Sequence, residues 1–120
     1  MKSVPDRLTF CFDLDGTICD TDESLPIPDR YYQCKPKQRM VDVITRYHNR
    51  GHRVIIETAR TSSFTGLMKY INRWKIKRLT ARQLEQWKVP YDMLRVGVKI
   101  PADLYIDDKA LPVTIFEKRH

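Results

Sequence analysis

Two carboxylates one residue apart, Asp13 and Asp15, stand out in Phe10-Cys11-Phe12-Asp13-Leu14-Asp15-Gly16-Thr17. Apolar residues lead into the first, and Gly16 offers a turn directly after the second. A strand stopping at Asp13 and a turn at Gly16 would bring both side chains into one small volume. Carboxylates packed that closely repel, and a divalent cation or a shared proton relieves the repulsion. Elsewhere, Thr58 closes a β-branched run, Lys99 follows another apolar stretch, and Asp107-Asp108 follows Leu104-Tyr105-Ile106. Carboxylates from two strand ends make a hard oxygen site that favours magnesium (Mg2+) over zinc. A hydroxyl and an ammonium beside them complete a phosphate pocket. One carboxylate can then attack phosphorus, with the cation and Lys99 offsetting charge on the transferring oxygens. The second can protonate the leaving oxygen and afterwards activate water.

The elements that would position these residues follow from periodicity. Segment 8–13 is short, apolar and aromatic-rich, as in a buried strand. Residues 14–36 lack periodicity, and Pro26, Pro28 and Pro36 argue against a helix there. That loop starts beside the carboxylates, so segment 18–36 is the candidate lid. Met40, Val43, Ile44 and Tyr47 recur at helical spacing until Gly51 stops the pattern. Segment 53–58 reads as a second strand, running into Thr58-Ala59-Arg60. Thr58 suits either phosphate binding or, with Thr61, Ser62, Ser63 and Thr65, plain helix capping.

A helix is expected over 65–75, with Leu67, Met68, Ile71 and Trp74 on its apolar side. Thr80-Ala81-Arg82-Gln83 resembles a capping box that opens a second, short helix through Trp87, ended by Pro90. Further strands are expected near 94–96, at 104–106 and at 113–116, before a polar tail. Strands alternating with helices imply an α/β fold, a Rossmann-like three-layer α/β/α domain with a mainly parallel sheet, over residues 1–120. In such sheets sites form beyond the C-terminal strand ends, where Asp13, Thr58, Lys99 and Asp107 would meet.

The chain has 120 residues, 42% of them hydrophobic and 31% charged, which suits one globular domain with one core. No apolar run is long enough to cross a bilayer, and the first residues lack the apolar stretch of a signal peptide, so a cytoplasmic protein is expected. Three cysteines, Cys11, Cys19 and Cys34, are an odd number without CxxC spacing, which argues against a disulfide framework or a zinc site. Cys11 reads as strand packing, Cys19 and Cys34 as loop residues, and no His is placed to make either a nucleophile.

Net charge is +7, and between Lys69 and Lys88 seven Lys and Arg residues face only Glu85. Segment 69–88 suits nucleic acid, steering of an anionic substrate, or merely a solvated helix face. Tyr47, Tyr70, Trp74 and Trp87 read as core or interface; an exposed Trp74 or Trp87 would indicate a homo-oligomer. His48, His52 and His120 receive no role.

Phe12-Asp13-Leu14-Asp15-Gly16-Thr17 resembles the first motif of the haloacid dehalogenase (HAD) superfamily of phosphohydrolases. Thr58-Ala59-Arg60 resembles its second, Lys99 its third, and Tyr105-Ile106-Asp107-Asp108-Lys109-Ala110 its fourth, in the family's order over nearly the whole chain. The resemblance implies that Asp13 is the nucleophile and a magnesium ligand. Asp15 would be the acid/base, with its carbonyl on the metal. Thr58 would bind the phosphoryl group, Lys99 would anchor it, and Asp107 would hold the metal with Asp108 on it or on its waters. Small relatives commonly read Gly-Lys-Pro at the third motif, whereas this chain reads Gly97-Val98-Lys99-Ile100-Pro101, so Lys109 is the alternative anchor.

The gap after the first motif, 18–36, is too short for the family's cap domain, and the gap after the second strand, 59–98, is used up by two expected helices and a strand. The chain therefore looks like a capless member, similar to small phosphatases of bacterial polysaccharide loci and phages. Tyr32-Gln33-Cys34-Lys35-Pro36 and Pro90-Tyr91-Asp92 carry that narrower likeness. The leading expectation is a phosphomonoesterase acting on a sugar phosphate or nucleotide. A nucleic-acid 3′-end phosphatase and a non-catalytic binding domain are the competing readings.

Overall fold

The computed structural model describes residues 7–60, 68–97 and 104–106. Among the described residues, four short strands form one sheet in the order β5-β4-β1-β6, made of β1 (Thr9–Asp13), β4 (Arg53–Thr58), β5 (Met93–Val96) and β6 (Leu104–Ile106). Every pairing in it is parallel. Parallel neighbours need a crossover, and α2 (Gln38–Asn49) and α3 (Met68–Gln86) supply it between β1 and β4 and between β4 and β5. The chain is thus α/β, as its alternating pattern indicates.

β1 and β4 occupy the middle of the sheet, and their sequences show why. Phe10, Cys11 and Phe12 are buried in succession, as are Val54, Ile55 and Ile56. A strand covered on both faces has no polar alternation to display. Met40, Val41, Val43, Ile44 and Tyr47 of α2 join them in the core, with Leu84 from α3 and Val89 beyond it. Gly51 ends α2 at φ +93°, in the left-handed region where a side chain is strained.

Two expectations are corrected. Segment 14–36 is not structureless: β2 (Cys19–Asp20) pairs antiparallel with β3 (Lys35–Pro36), and α1 (Asp29–Tyr32) makes one helical turn between them. Pro28 precedes that turn as its N-cap, where a missing N–H costs nothing. The two helices expected over 65–75 and 80–87 are one helix, α3, unbroken from Met68 to Gln86. No Gly or Pro interrupts that stretch, and Thr80 and Gln83 turn inward instead of capping. Residues 65–67 and the strand expected at 113–116 lie outside the described residues.

The strand order also locates a site. From β1 the chain steps to β4 and β5 on one side, then returns to place β6 on the other side of β1. The direction of winding reverses beside β1, and ligand crevices open at such reversals, outside the carboxyl ends of the strands. β1 ends there in Asp13. No described helix is long and apolar enough to cross a membrane.

Candidate active site

The turn after β1 is tightly tied. The Leu14 carbonyl accepts from the N–H groups of Thr17, Ile18 and Cys19 at 3.3, 2.9 and 3.1 Å, and Gly16 N–H donates to the Cys19 carbonyl at 2.8 Å. Gly16 sits at φ +90°, a conformation only glycine adopts without strain. Lys37, at the N-cap of α2, adds an outside brace: its ammonium donates to the Gly16 carbonyl at 3.1 Å and lies 3.6 Å from Asp20. The result is the convergence expected from the spacing. Asp13 and Asp15 line one cleft of about 260 Å³, together with Gly16, Thr21, Glu23, Arg30, Tyr31, Ala59 and Arg60. Segment 18–36 thus supplies one wall of that cleft through Thr21, Glu23, Arg30 and Tyr31.

Arg60 organises the cleft floor, and the sequence reading gave it no role. It is 1% exposed. Its Nε donates to Asp15 Oδ2 at 3.0 Å, and Nη2 donates to Asp15 Oδ1 at 2.9 Å, a fork-to-fork pair. Nη1 donates to Gln83 Oε1 at 2.7 Å and to Thr80 Oγ1 at 3.1 Å. Nη2 also donates to Cys34 Sγ at 3.2 Å. A guanidinium has five N–H donors, and these contacts occupy all of them. The Tyr31 ring covers it, its centroid 5.0 Å from Cζ. Burial alone pushes the guanidinium down, but the hydrogen bonds and charge of Asp15, then the two thiols, outweigh it and hold Arg60 above its ordinary value. Arg60 therefore stays charged and fixes the orientation of Asp15.

Cys19 and Cys34 meet at the same guanidinium. The two sulfurs and an Asp15 oxygen lie within 4.8 Å of one another, with Cys19 Sγ 3.5 Å from Asp15 Oδ1. Such a set could suit a soft metal, but Arg60 fills it, so the cation there is the protein's own. A hydrogen bond from Cys19 and the nearby Arg60 outweigh burial and bring the Cys34 thiol down to about 7. Its hydrogen bond to Cys34, burial and the Asp15 charge push the Cys19 thiol up. None of the three cysteines forms a disulfide.

Thr58 ends β4 on the strand beside β1, one register position beyond the Asp13–Glu57 pair. It is buried, and its Oγ1 accepts from the Arg60 backbone N–H at 3.1 Å. The cleft wall next to it is Ala59 and Arg60. β6 ends at Ile106, which pairs with Phe12. Lys99, Asp107, Asp108 and Lys109 lie outside the described residues.

Sequence reading also missed Thr80 and Gln83. The available signal was polar side chains three residues apart on the side of α3 that buries Ile76 and Leu84. Gln83 completes the assembly by donating from Nε2 to the Tyr31 carbonyl at 2.7 Å, which ties α1 to α3. Among the histidines, His52 Nδ1 accepts from Leu8 N–H at 3.1 Å, a structural contact away from the cleft.

The fold has solved counterparts. An MCSG target from Vibrio cholerae is 25% identical, with a TM-score of 0.60 over 92% of this chain and 87% of that one. A chain of the Pnkp1/Rnl/Hen1 complex is 19% identical, with a TM-score of 0.55 over 85% of this chain and 32% of that one. A chain of the Pnkp1/Rnl/Hen1 RNA repair complex is 18% identical, with a TM-score of 0.55 over 94% of this chain and 30% of that one. In those two complexes this chain corresponds to about a third of the matched chain, and at such identity the likeness is one of fold. No protein-family model matches the sequence, and no curated protein matches it.

Proposed function

We propose that the chain is a HAD-type phosphomonoester hydrolase, a capless Rossmann-like three-layer domain that works through an aspartyl phosphate on Asp13. The observation that carries this reading is the cleft itself: two carboxylates at the switch point of a parallel sheet, one at a strand end and the other held by a buried arginine. Two carboxylates crowded into one cleft are a hard donor set that fits magnesium. Asp13, the Asp15 carbonyl, Asp107 and Asp108 would hold the ion, and it would supply charge neutralisation on the phosphoryl oxygens.

An Asp13 oxygen attacks phosphorus, and the bond from phosphorus to the leaving oxygen breaks. Asp15, entering this step as the carboxylic acid, gives that oxygen its proton, so the alcohol departs neutral and an acyl phosphate remains on Asp13. Asp15, now a carboxylate, takes a proton from water as the water attacks the same phosphorus. Inorganic phosphate leaves, and Asp13 is regenerated. Arg60 holds the Asp15 carboxyl in one orientation through both half-reactions. Thr58 would donate to a phosphoryl oxygen, and Lys99, or in its place Lys109, would anchor the group electrostatically.

A small phosphorylated metabolite, a sugar phosphate or nucleotide, is the leading substrate class, with a nucleic-acid end as the alternative that an uncapped cleft also admits. The test is a phosphatase screen with magnesium across sugar phosphates, nucleotides and end-phosphorylated oligonucleotides. Asp13→Asn is expected to lower kcat by at least ~10³-fold on every substrate, since it removes the nucleophile. Undiminished turnover in that variant would overturn the mechanism.

A further inference from the structure

α3 presents two unlike sides. Ile76, Thr80, Gln83 and Leu84 are buried, whereas Tyr70 is 71% exposed and Trp74 58% exposed. Arg78, one turn beyond Trp74, lays its guanidinium 5.0 Å from the indole centroid. Beside this pair lies a second cleft of about 300 Å³, lined by Tyr32, Trp74, Lys75, Arg78, Leu79 and Arg82. Among the described residues, three cations and two aromatic rings line it, and no acidic side chain does. Tyr32 is itself 54% exposed.

We propose that this cleft binds single-stranded nucleic acid, with bases stacking on Trp74 and Tyr32 and phosphates pairing with Lys75, Arg78 and Arg82. Exposed aromatic faces interleaved with cations match both halves of a nucleotide, the base and the phosphate. A second copy of this chain fits less well. A two-fold interface would set these cations against themselves, on a chain already at +7.

The cleft also lies next to the proposed chemistry. Tyr31 lines the Asp13–Asp15 cleft and Tyr32 lines this one, and consecutive Cα atoms are only about 3.8 Å apart. The Gln83 bond to the Tyr31 carbonyl locks α1 between the two clefts. A bound strand thus needs to cross only the single turn of α1 to bring a terminal phosphate to Asp13. This last step rests on the phosphatase reading; binding at the cleft does not.

Fluorescence anisotropy of labelled, unphosphorylated dT and rU decamers reads the binding alone. Saturable binding is expected, weakening about 20-fold between 50 and 200 mM salt, as contact with three phosphates of a single strand implies. Trp74→Ala is expected to weaken it at least ~10-fold, the range of one lost stacking contact, and Arg78→Ala/Arg82→Ala at least ~10-fold through two lost phosphate contacts. Comparison of kcat/KM for 3′- and 5′-phosphorylated decamers with that for the mononucleotide then reads the coupling. A decamer preference of at least ~10-fold is expected, abolished by Trp74→Ala without change on the mononucleotide.

Absence of salt-sensitive binding to either decamer would overturn the proposal. So would concentration-dependent dimerisation that Trp74→Ala removes, which would assign the surface to a second copy. Phosphatase activity equal on decamer and mononucleotide, without binding, would sink this inference and leave the catalytic one standing. Binding as expected with no turnover of any phosphate ester would do the reverse.

Discussion

The two clefts on either side of α1 are both built around arginines, and the arginines do opposite things. Arg60 is sealed beneath Tyr31 with every donor engaged, its charge matched by Asp15. Arg78 is exposed and stacked on an exposed indole. A buried, fully paired guanidinium is part of the fold, because removing it strands its partners in a poorly solvated site. An exposed one contributes little to the fold and keeps its hydrogen-bonding capacity for something else. The same side chain therefore positions a residue in one cleft and offers a contact in the other.

The largest effect should separate the two directly. Arg60→Ala is expected to destabilise the protein by about 3–5 kcal/mol, as breaking a buried ion pair does, measured by urea unfolding. Arg60→Lys should recover only part of that loss, because a point charge cannot reproduce the fork. A cost below 1 kcal/mol for Arg60→Ala would show that the buried network is not structural.

Gln83→Leu leaves Arg60 Nη1 one acceptor short and takes from the Tyr31 carbonyl its shorter donor, leaving only the Cys34 Sγ contact at 3.1 Å. About 1–3 kcal/mol is expected, the cost of unsatisfied buried polar groups. If the phosphatase reading holds, kcat should fall more than KM rises as Asp15 loses its orientation, a split that steady-state kinetics reads.

A smaller signature lies in pH. Cys34 is brought from an ordinary 9.0 to about 7, first by its hydrogen bond from Cys19 and then by Arg60. A lowered pKa means that the folded state favours the thiolate. Its contribution is complete above pH 9 and is lost as pH falls through 7. Cys19 is pushed the other way and stays a thiol over that window. Melting curves should show the Tm of the native protein rising from pH 7 to 9 relative to that of Cys34→Ser. A pH-independent difference would remove the thiolate from the account.

The smallest effect belongs to the second cleft. Arg78→Ala should change stability by no more than about 0.5 kcal/mol, as exposed substitutions do, measured in the same urea series. A loss comparable with that of Arg60→Ala would erase the contrast between the clefts.

What could be read from the sequence tracks how local the responsible physics is. The apolar runs at Phe10–Phe12 and Val54–Ile56 identify central strands because a strand covered on both faces has no polar alternation. The spacing in α2 and the stop at Gly51 are equally local, as is the turn at Gly16 that gathers Asp13 and Asp15. Segment 14–36 was harder. A single turn of helix and two-residue strands leave no periodicity to detect, and proline ahead of a helix reads the same as proline in a loop. Thr80 and Gln83 matched a capping pattern, but burial against Arg60 decided their role.

The order of elements and the meeting of two carboxylates after β1 were determined by the sequence alone, because strand alternation, helical spacing and glycine turns act over a few residues. Which groups serve those carboxylates was decided only in three dimensions. Arg60 reaches Asp15 across 45 positions, and Gln83 reaches Tyr31 across 52. No short-range pattern encodes a partner that far along the chain. The same holds for the split between the two clefts. Arg60 and Arg78 are identical in composition, and only the packing of α1 and α3 buries one and leaves the other in water.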